Sequence, residues 1–308
     1  MRVIVWPRAL GTSWLAKPKK GIILGQFAFR FKGGVQQGAR KLQGCIMEVR
    51  LWQILVLAVV QGIAEFLPIS SSGHVVILAE LVAPGNSRGF DVTDVNIVLH
   101  LGTLLSILVF YWQRVVRLLG EDRRTIGLLV VGTIPAVAIG VPVHVCAREL
   151  FESPLVAGTM LIVTGAILIW ASRAPFGQGS YQRLSHARAL AIGTAQAAAI
   201  LPGLSRSGAT ISAALRLGLT PRAAATFSFL LAIPAIAGAG VLDVASMVIK
   251  REPGSTPAGY LILGATVSFL VGWASLWWLV RWLERGRLQW FAAWCIPVGI
   301  LVVVWQLW

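Results

Sequence analysis

Six apolar runs, each roughly long enough to cross a bilayer, restrict this chain to a membrane architecture. They are Val92–Trp112, Thr125–Val143, Pro154–Ser172, Ala223–Leu242, Tyr260–Val280 and Trp290–Trp308. A helix needs about 20 predominantly apolar residues to span a hydrocarbon core of about 30 Å. Hydrophobic residues make up 56% of the 308 residues and charged residues 13%, which excludes a soluble globular domain. We therefore predict an all-α, polytopic membrane protein with six transmembrane helices.

Two further stretches, Leu51–Ala83 and Ala189–Leu219, are interrupted near their middles by proline, serine and glycine. Each is predicted to be a re-entrant helical hairpin, which enters and leaves on one side of the membrane. Positive residues concentrate in cytoplasmic loops, and three loops here are rich in arginine: Arg114, Arg117, Arg123 and Arg124; Arg173, Arg183 and Arg188; Arg281, Arg285 and Arg287. All three lie in the cytoplasm only if neither interrupted stretch crosses the membrane. The loops left outside are Pro84–Asp91, His144–Ser153 and Asp243–Thr256.

The two halves of the chain, about 51–172 and 189–308, resemble each other. A shift of 135 residues without a gap aligns identical residues of the two interrupted stretches: Gln61 with Gln196, Ala64 with Ala199, Ser70 with Ser205, Ser72 with Ser207 and Gly73 with Gly208. Each hairpin is followed by three spans, an odd number, so the halves are expected to be inverted in the membrane. Inverted repeats with paired broken helices place the binding site where the breaks meet. Function is therefore expected at the two breaks.

Residues 1–46 differ from the rest of the chain. They contain nine Lys/Arg, no acidic residue and no apolar run long enough to span a membrane. We expect a disordered tail or a mis-assigned start, with Met47 opening a single membrane domain over residues 47–308. An amphipathic anchor is the alternative. Because these residues carry more than half of the net charge of +15, the charge does not indicate a nucleic-acid partner.

The first break carries a carboxylate, hydroxyls and an imidazole in one short segment. Gln61 and Glu65 are four residues apart and share one face of a helix. A carboxylate at membrane depth is costly, so it is retained where it is paired or functional. Three serines, Ser70–Ser72, are followed closely by His74, which places a nucleophile, a carboxylate and a base together. Serines that only cap the next helix are the alternative, but capping explains neither Glu65 nor His74.

The second break is predicted to bind an anion. It reads Pro202-Gly203-Leu204-Ser205-Arg206-Ser207-Gly208-Ala209-Thr210. Backbone N–H groups at a turn entering a helix bind phosphate, and the Arg206 guanidinium offers two parallel donors to phosphate oxygens. The predicted phosphate-binding residues are Ser70, Ser72, Gly203, Ser205, Arg206, Ser207 and Thr210. Alternatively, Arg206 pairs with Glu65 and neutralises it, which is compatible with catalysis.

The two motifs together resemble those of the undecaprenyl-diphosphatase, or bacitracin-resistance, family. They read Gln61-Gly-x-x-Glu65-Phe-Leu-Pro-x-Ser-Ser-Ser-Gly-His74 and Pro202-Gly-x-Ser-Arg206-Ser-Gly-Ala-Thr, and the resemblance extends from about Met47 to the end. It implies hydrolysis of undecaprenyl diphosphate, which recycles the carrier lipid for peptidoglycan synthesis and confers bacitracin resistance. It also implies a multi-pass protein of the bacterial inner membrane whose active site faces the periplasm. The implied partners are the polyprenyl diphosphate and the bilayer; a homo-oligomer stays open.

Carried over by position, the resemblance implies that Glu65, His74, Ser71 and Arg206 are catalytic. It also implies a divalent cation, Mg²⁺ or Ca²⁺, for which Glu65 and Gln61 match the family's motif. Gln61 can coordinate a cation through its carbonyl but cannot act as a base. Our hypothesis is that Ser71 attacks the terminal phosphorus, with His74 as base and later acid. Activation of a water by His74 is the alternative, and the sequence does not separate the two.

Other functions fit parts of the pattern. A transporter that flips the lipid phosphate would share the inverted repeat and the broken helices, but it needs only the anion site. The other class of membrane lipid phosphatases needs a histidine six residues after the arginine, where this chain has Ser212. A purely structural membrane protein leaves the buried ionisable residues unexplained. His100, inside a predicted span, either lines the site or has a packing role.

Overall fold

The computed structural model of the protein describes residues 51–82, 92–146, 150–151, 153–175, 177–250 and 256–308. Residues 1–46 lie outside these ranges, so the predicted tail and the opening of the membrane domain at Met47 stay predictions. The predicted outer loop Pro84–Asp91 also lies outside them. The other two predicted outer loops are described in part.

The described residues form α-helices joined by short turns. In chain order the helices are α1 (Leu51–Ala64), α2 (Ser71–Val82), α3 (Val92–Phe110), α4 (Trp112–Leu119), α5 (Arg123–Cys146), α6 (Pro154–Ser172), α7 (His186–Ala198), α8 (Arg206–Arg216), α9 (Pro221–Lys250), α10 (Ala258–Glu284) and α11 (Ala292–Leu307). Short 3₁₀ turns cover Tyr181–Arg183 and Leu288–Phe291. Within the described ranges there is no β-strand, and Gly179 and Leu219 form an isolated bridge.

Five of the described helices are long and apolar enough to cross a membrane: α5, α6, α9, α10, and α11 with its preceding 3₁₀ turn. A sixth candidate is the pair α3 and α4, whose axes differ by 76°. The bend lies at Tyr111, whose backbone leaves the helical conformation. Each predicted apolar run therefore falls on one of these elements. The prediction of an all-α, polytopic membrane protein is confirmed.

The helix breaks recur at the predicted repeat distance. Helix α2 begins at Ser71 and α8 begins at Arg206, 135 residues later. Helices α5 and α10 begin the same distance apart, at Arg123 and Ala258. Each break separates two short helices and is followed by longer ones, as the two predicted hairpins require.

Spans from both halves hold the broken helices in place. Helix α6 packs along α11 and also contacts α2 and α8, the helices that follow the two breaks. Helix α7 packs along α5, and α3 packs against α9 and α10. Phe66, in the first break, and Phe229 of α9 are fully buried, and their rings meet edge to face with centroids 5.6 Å apart. This contact fixes the first break against the second half.

Candidate functional site

The first break is shaped by the backbone of Ser70, immediately before α2. Ser70 has a φ of +70° and is the one non-glycine residue in the described part of the chain with a positive φ, a conformation that costs about 1–3 kcal/mol. Its hydroxyl accepts a hydrogen bond from the Gly73 backbone N–H at 3.3 Å, as a serine at a helix N-cap does. The turn places Ser71, the first residue of α2, beside Glu65.

Gly203 and Thr164 give the second break its shape. Gly203 has a φ of +90°, and a Cβ at this position would collide with the carbonyl oxygen of Ala157 on α6. Thr164, also on α6 and buried, donates to the Gly203 carbonyl at 2.8 Å and accepts from the Ser205 N–H at 3.0 Å. Ser205 in turn caps α8 by accepting from the Gly208 N–H at 3.1 Å. The loop is therefore fixed on both sides of its turn.

The two breaks meet, as the repeat predicted. A Cβ on Gly73 would lie 2.8 Å from the Cα of Gly203, and the Ser207 hydroxyl donates to the Leu67 carbonyl at 3.3 Å. Between the breaks is a small polar cavity lined by Ala64, Glu65, Ser70, Ser71, Ser72, Ala199, Leu204, Ser205 and Arg206. The N-terminal ends of α2 and α8 both form part of its wall. Helix N-termini favour anions, so the cavity suits a negatively charged ligand.

Glu65 is the centre of the hydrogen bonds in the cavity. One carboxylate oxygen, Oε1, pairs with Nη2 of Arg206. The other, Oε2, accepts from the Ser71 hydroxyl at 2.9 Å and from the Gln61 side-chain amide at 3.0 Å. The Glu65 side chain is 7% exposed and that of Arg206 16%, so solvent screens this pair weakly. One carboxylate therefore joins a hydroxyl of the first break to a guanidinium of the second.

Arg206 keeps a donor for a ligand. Its Nη1 is buried and has no hydrogen-bond partner among the described residues. A buried, unsatisfied donor is costly, and such a group indicates a function or a bound species. Pairing with Glu65 accounts for Nη2 but leaves Nη1 unexplained. Because a guanidinium can bind two phosphate oxygens at once, an anionic ligand would satisfy it.

His74 has both ring nitrogens engaged away from Ser71. Nδ1 donates to the Ser70 carbonyl at 2.7 Å, and Nε2 accepts from the indole N–H of Trp294 at 3.0 Å. Among the described residues, Glu65 accepts the Ser71 hydroxyl. Glu65 is therefore the group placed to accept the Ser71 proton, and the role of His74 as the base stays a prediction. The hydrogen bond of His74 to Ser70 holds the first turn of α2.

His100 reaches the same carboxylate from α3. Its Nε2 lies 3.7 Å from Oε2 of Glu65, and its Nδ1 donates to the Asn96 carbonyl at 2.8 Å. Of the two roles that the sequence left open, this placement favours a site residue over a packing residue.

The predicted phosphate-binding residues divide into two groups. Those that line the cavity are Ser70, Ser72, Ser205 and Arg206. The others support the second break: Gly203 makes its turn, and the Ser207 hydroxyl is bound to the Leu67 carbonyl. Thr210 is fully buried and shares a hydrogen bond of 2.6 Å with the Ser228 hydroxyl of α9. These three residues lie outside the wall of the cavity, and their role in binding phosphate stays a prediction.

Gln61 has a buried side-chain oxygen that no described residue uses. The side chain is fully buried, its Nε2 is bound to Glu65, and its Oε1 has no partner in the described ranges. An orphaned amide oxygen beside one carboxylate suits Mg²⁺ or Ca²⁺, which take oxygen ligands and often share them with water and phosphate. No group of three or more His, Cys, Asp or Glu that could hold a metal occurs among the described residues. These donors fit a cation held jointly with a phosphate ligand.

Replacing Thr164 by valine is expected to loosen the second break. The variant leaves the Gly203 carbonyl and the Ser205 N–H without their buried partner, at a cost of about 1–3 kcal/mol for each group. Thermal unfolding in detergent measures the loss. Thr159→Val, on the same helix, removes only an exposed bond to the Leu155 carbonyl and is the matched control. Equal unfolding temperatures for the two variants would contradict this role of Thr164.

The sequence reasoning missed two residues that hold the site together. Thr164 is a hydroxyl inside an apolar run, and a polar side chain at membrane depth was the available signal. Trp294 belongs to a tryptophan-rich C-terminal region typical of a membrane interface. Nothing in the sequence pairs it with His74.

The fold and the cavity define a class: polytopic α-helical membrane proteins with a buried polar site where two broken helices meet. Within this class, the chain belongs to the family described as bacitracin resistance protein BacA, whose family model matches residues 54–301. The resemblance expected from the two motifs is confirmed.

Relatives named undecaprenyl-diphosphatase are similar over most of their length. The protein from Rhodopirellula baltica is 52% identical over 254 residues, which cover 82% of this chain and 97% of the relative. The protein from Desulfatibacillum aliphaticivorans is 40% identical over 278 residues, with coverage of 82% and 97%. The protein from Corynebacterium efficiens is 38% identical over 266 residues, with coverage of 82% and 89%.

Proposed function

We propose that this protein hydrolyses undecaprenyl diphosphate to undecaprenyl phosphate and inorganic phosphate. The observation that carries the proposal is the series of contacts from Ser71 through Glu65 to Arg206. It places a nucleophile, a proton acceptor and an anion-binding group in one buried cavity, and phosphoryl transfer needs these groups together. The name of the relatives supports the same activity. A role in peptidoglycan synthesis and bacitracin resistance follows from this substrate.

In the proposed mechanism Ser71 attacks the terminal phosphorus while its proton passes to Oε2 of Glu65. The Oγ–P bond forms, the bond from phosphorus to the bridging oxygen breaks, and Glu65 gives the proton to the departing undecaprenyl phosphate. Glu65 then takes a proton from the water that cleaves the phosphoserine and returns it to Ser71. Arg206 and the backbone N–H groups at the starts of α2 and α8 stabilise the charge on the phosphoryl oxygens.

A divalent cation, Mg²⁺ or Ca²⁺, would be held by Glu65 and by Oε1 of Gln61. When bound, it would neutralise charge on the diphosphate oxygens. We also place the protein in the bacterial inner membrane with the cavity reached from the periplasmic side. The arginine-rich loops support this orientation, since such loops stay in the cytoplasm.

Phosphate release from undecaprenyl diphosphate by the detergent-purified protein tests the proposal. We expect inorganic phosphate and undecaprenyl phosphate as products, loss of release with EDTA, and recovery when Mg²⁺ or Ca²⁺ is added back. Folded protein that binds the lipid but releases no phosphate with either cation would contradict a phosphatase. That result would favour a transporter, which needs the anion site without the nucleophile.

Replacing Ser71 by alanine separates the two routes that the sequence left open. If the serine is the nucleophile, we expect the rate to fall by at least about 10²-fold and a phosphoserine to be trapped by acid quenching of the unaltered protein. Ser72→Ala is the matched control, because Ser72 lines the same cavity and its hydroxyl shares a hydrogen bond with Ser70; we expect a smaller loss. A Ser71→Ala variant that keeps its rate would show that water attacks directly.

A further inference from the structure

We propose that His100 is a third protein ligand of the divalent cation, beside Glu65 and Gln61. The inference rests on the proposed function for the presence of a cation. The choice of His100 comes from its own placement.

The imidazole of His100 directs Nε2 toward the Glu65 carboxylate. Its Nδ1 lies 2.8 Å from the Asn96 carbonyl oxygen, and because a carbonyl can only accept, Nδ1 carries the proton. In the neutral ring Nε2 is then an acceptor, and it lies 3.7 Å from Oε2 of Glu65. Histidines that bind metals typically donate their other ring N–H to a backbone carbonyl or a carboxylate in this way.

A third acceptor belongs to Gln61, whose side chain contacts Glu65. Gln61 is fully buried, and its amide donates to the same carboxylate oxygen, Oε2 of Glu65, at 3.0 Å. Its Oε1 has no hydrogen-bond partner among the described residues. A buried acceptor without a donor indicates an ion or water that satisfies it. Together with Oε2 of Glu65 and Nε2 of His100, the Gln61 oxygen would give a cation three electron-pair donors.

The mixed ligand set predicts the cation preference. Carboxylate and carbonyl oxygens suit Mg²⁺ and Ca²⁺, whereas an imidazole favours later first-row metals, whose affinities rise from Mn²⁺ to Co²⁺. The protein is therefore expected to bind Co²⁺ more tightly than Mn²⁺, and Mn²⁺ more tightly than Mg²⁺. Without His100, the oxygen ligands that remain should lose most of this discrimination.

Electron spin-echo spectroscopy of bound Mn²⁺ tests the inference without an activity measurement. The full chain is purified through a tag that contains no histidine, and Mn²⁺ alone is the probe. We expect modulation from a directly bound nitrogen, which changes when the protein is labelled with [¹⁵N]histidine. This labelling needs no substitution, so it identifies a histidine ligand even if a variant fails to fold. Absence of histidine nitrogen from the spectrum of the bound ion would overturn the inference.

Two substitutions then identify the histidine. His100→Gln is expected to remove the nitrogen signal, to lower Mn²⁺ affinity by about tenfold or more, and to reduce the preference for Co²⁺ over Mg²⁺. His186→Ala, at an exposed residue at the start of α7, is the control and should change none of these. A nitrogen signal that survives in His100→Gln would overturn the assignment. If the signal is present but the protein releases no phosphate, the proposed function fails and the ligand assignment stands.

Discussion

Replacing Glu65 by glutamine is expected to lower the rate of phosphate release by about 10²–10⁴-fold, the usual contribution of a positioned proton acceptor. Glutamine keeps an oxygen for Arg206 but cannot take the proton of the Ser71 hydroxyl, 2.9 Å away. Since Arg206 remains to bind phosphate, KM should change much less than kcat. Initial rates over a range of lipid concentrations in detergent measure both constants.

The matched control for this prediction is Glu284→Gln. Glu284 pairs with Arg222 at 3.7 Å, but its side chain is 44% exposed and lies at the end of α10. This variant should release phosphate at the rate of the unaltered protein. A Glu65→Gln variant as active as Glu284→Gln would show that Glu65 does not accept the proton.

Replacing Gly203 by alanine is expected to be the most damaging single-methyl change in the second break. The positive φ of +90° alone costs a residue with a Cβ about 1–3 kcal/mol. The added methyl also meets the Ala157 carbonyl oxygen, which belongs to the backbone and cannot rotate away. Overpacking adds about 1–3 kcal/mol, so we expect a large fall in unfolding temperature and loss of phosphate release.

Gly218→Ala separates the strain of the positive φ from the steric contact with Ala157. Gly218 has nearly the same φ, +87°, but a Cβ there would meet nothing within 4 Å. Its substitution should cost only the strain of a residue with a Cβ at positive φ, about 1–3 kcal/mol, and should leave the cavity intact. Thermal unfolding of both variants in one detergent gives the comparison. An equal fall in unfolding temperature for the two variants would show that the contact with Ala157 does not constrain the second break.

Much of the fold could be predicted because lipid imposes simple rules on a sequence. A span must be apolar over about 20 residues and must satisfy its backbone internally, so the apolar runs alone located the long helices. The breaks were equally visible, since proline and glycine interrupt an otherwise apolar stretch. The repeat distance of 135 residues carried over from sequence identities to helix starts at Ser71 and Arg206.

The contacts inside the site could be predicted less well, because they depend on how side chains are directed. Ser71 and His74 are close in the sequence, which suggested a nucleophile and its base. The left-handed backbone at Ser70 instead directs the Ser71 hydroxyl to Glu65, and the His74 ring is held by Trp294. The partner of His74 lies 220 residues away, and no local pattern indicates such a pairing.

A similar limit explains the division among the predicted phosphate-binding residues. Residues 203–210 read as one anion-binding segment, but a helix turns its side chains in different directions. Arg206 faces the cavity, whereas Thr210, one turn later, bonds to the Arg206 carbonyl and to Ser228. Which residues of such a motif face the ligand is decided by the packing of α8 against α9.

We propose that the two breaks form one phosphatase site, and a double-mutant cycle between Glu65 and Arg206 measures whether they act together. The measurement is the rate of phosphate release from undecaprenyl diphosphate by the unaltered protein, Glu65→Gln, Arg206→Ala and the double variant. Residues that act as a unit show strongly non-additive effects, so the double variant should be about as slow as the slower single variant. A double variant whose fold-decrease in rate equals the product of the two single fold-decreases would contradict a single site. Single variants that release phosphate at the rate of the unaltered protein would contradict it as well.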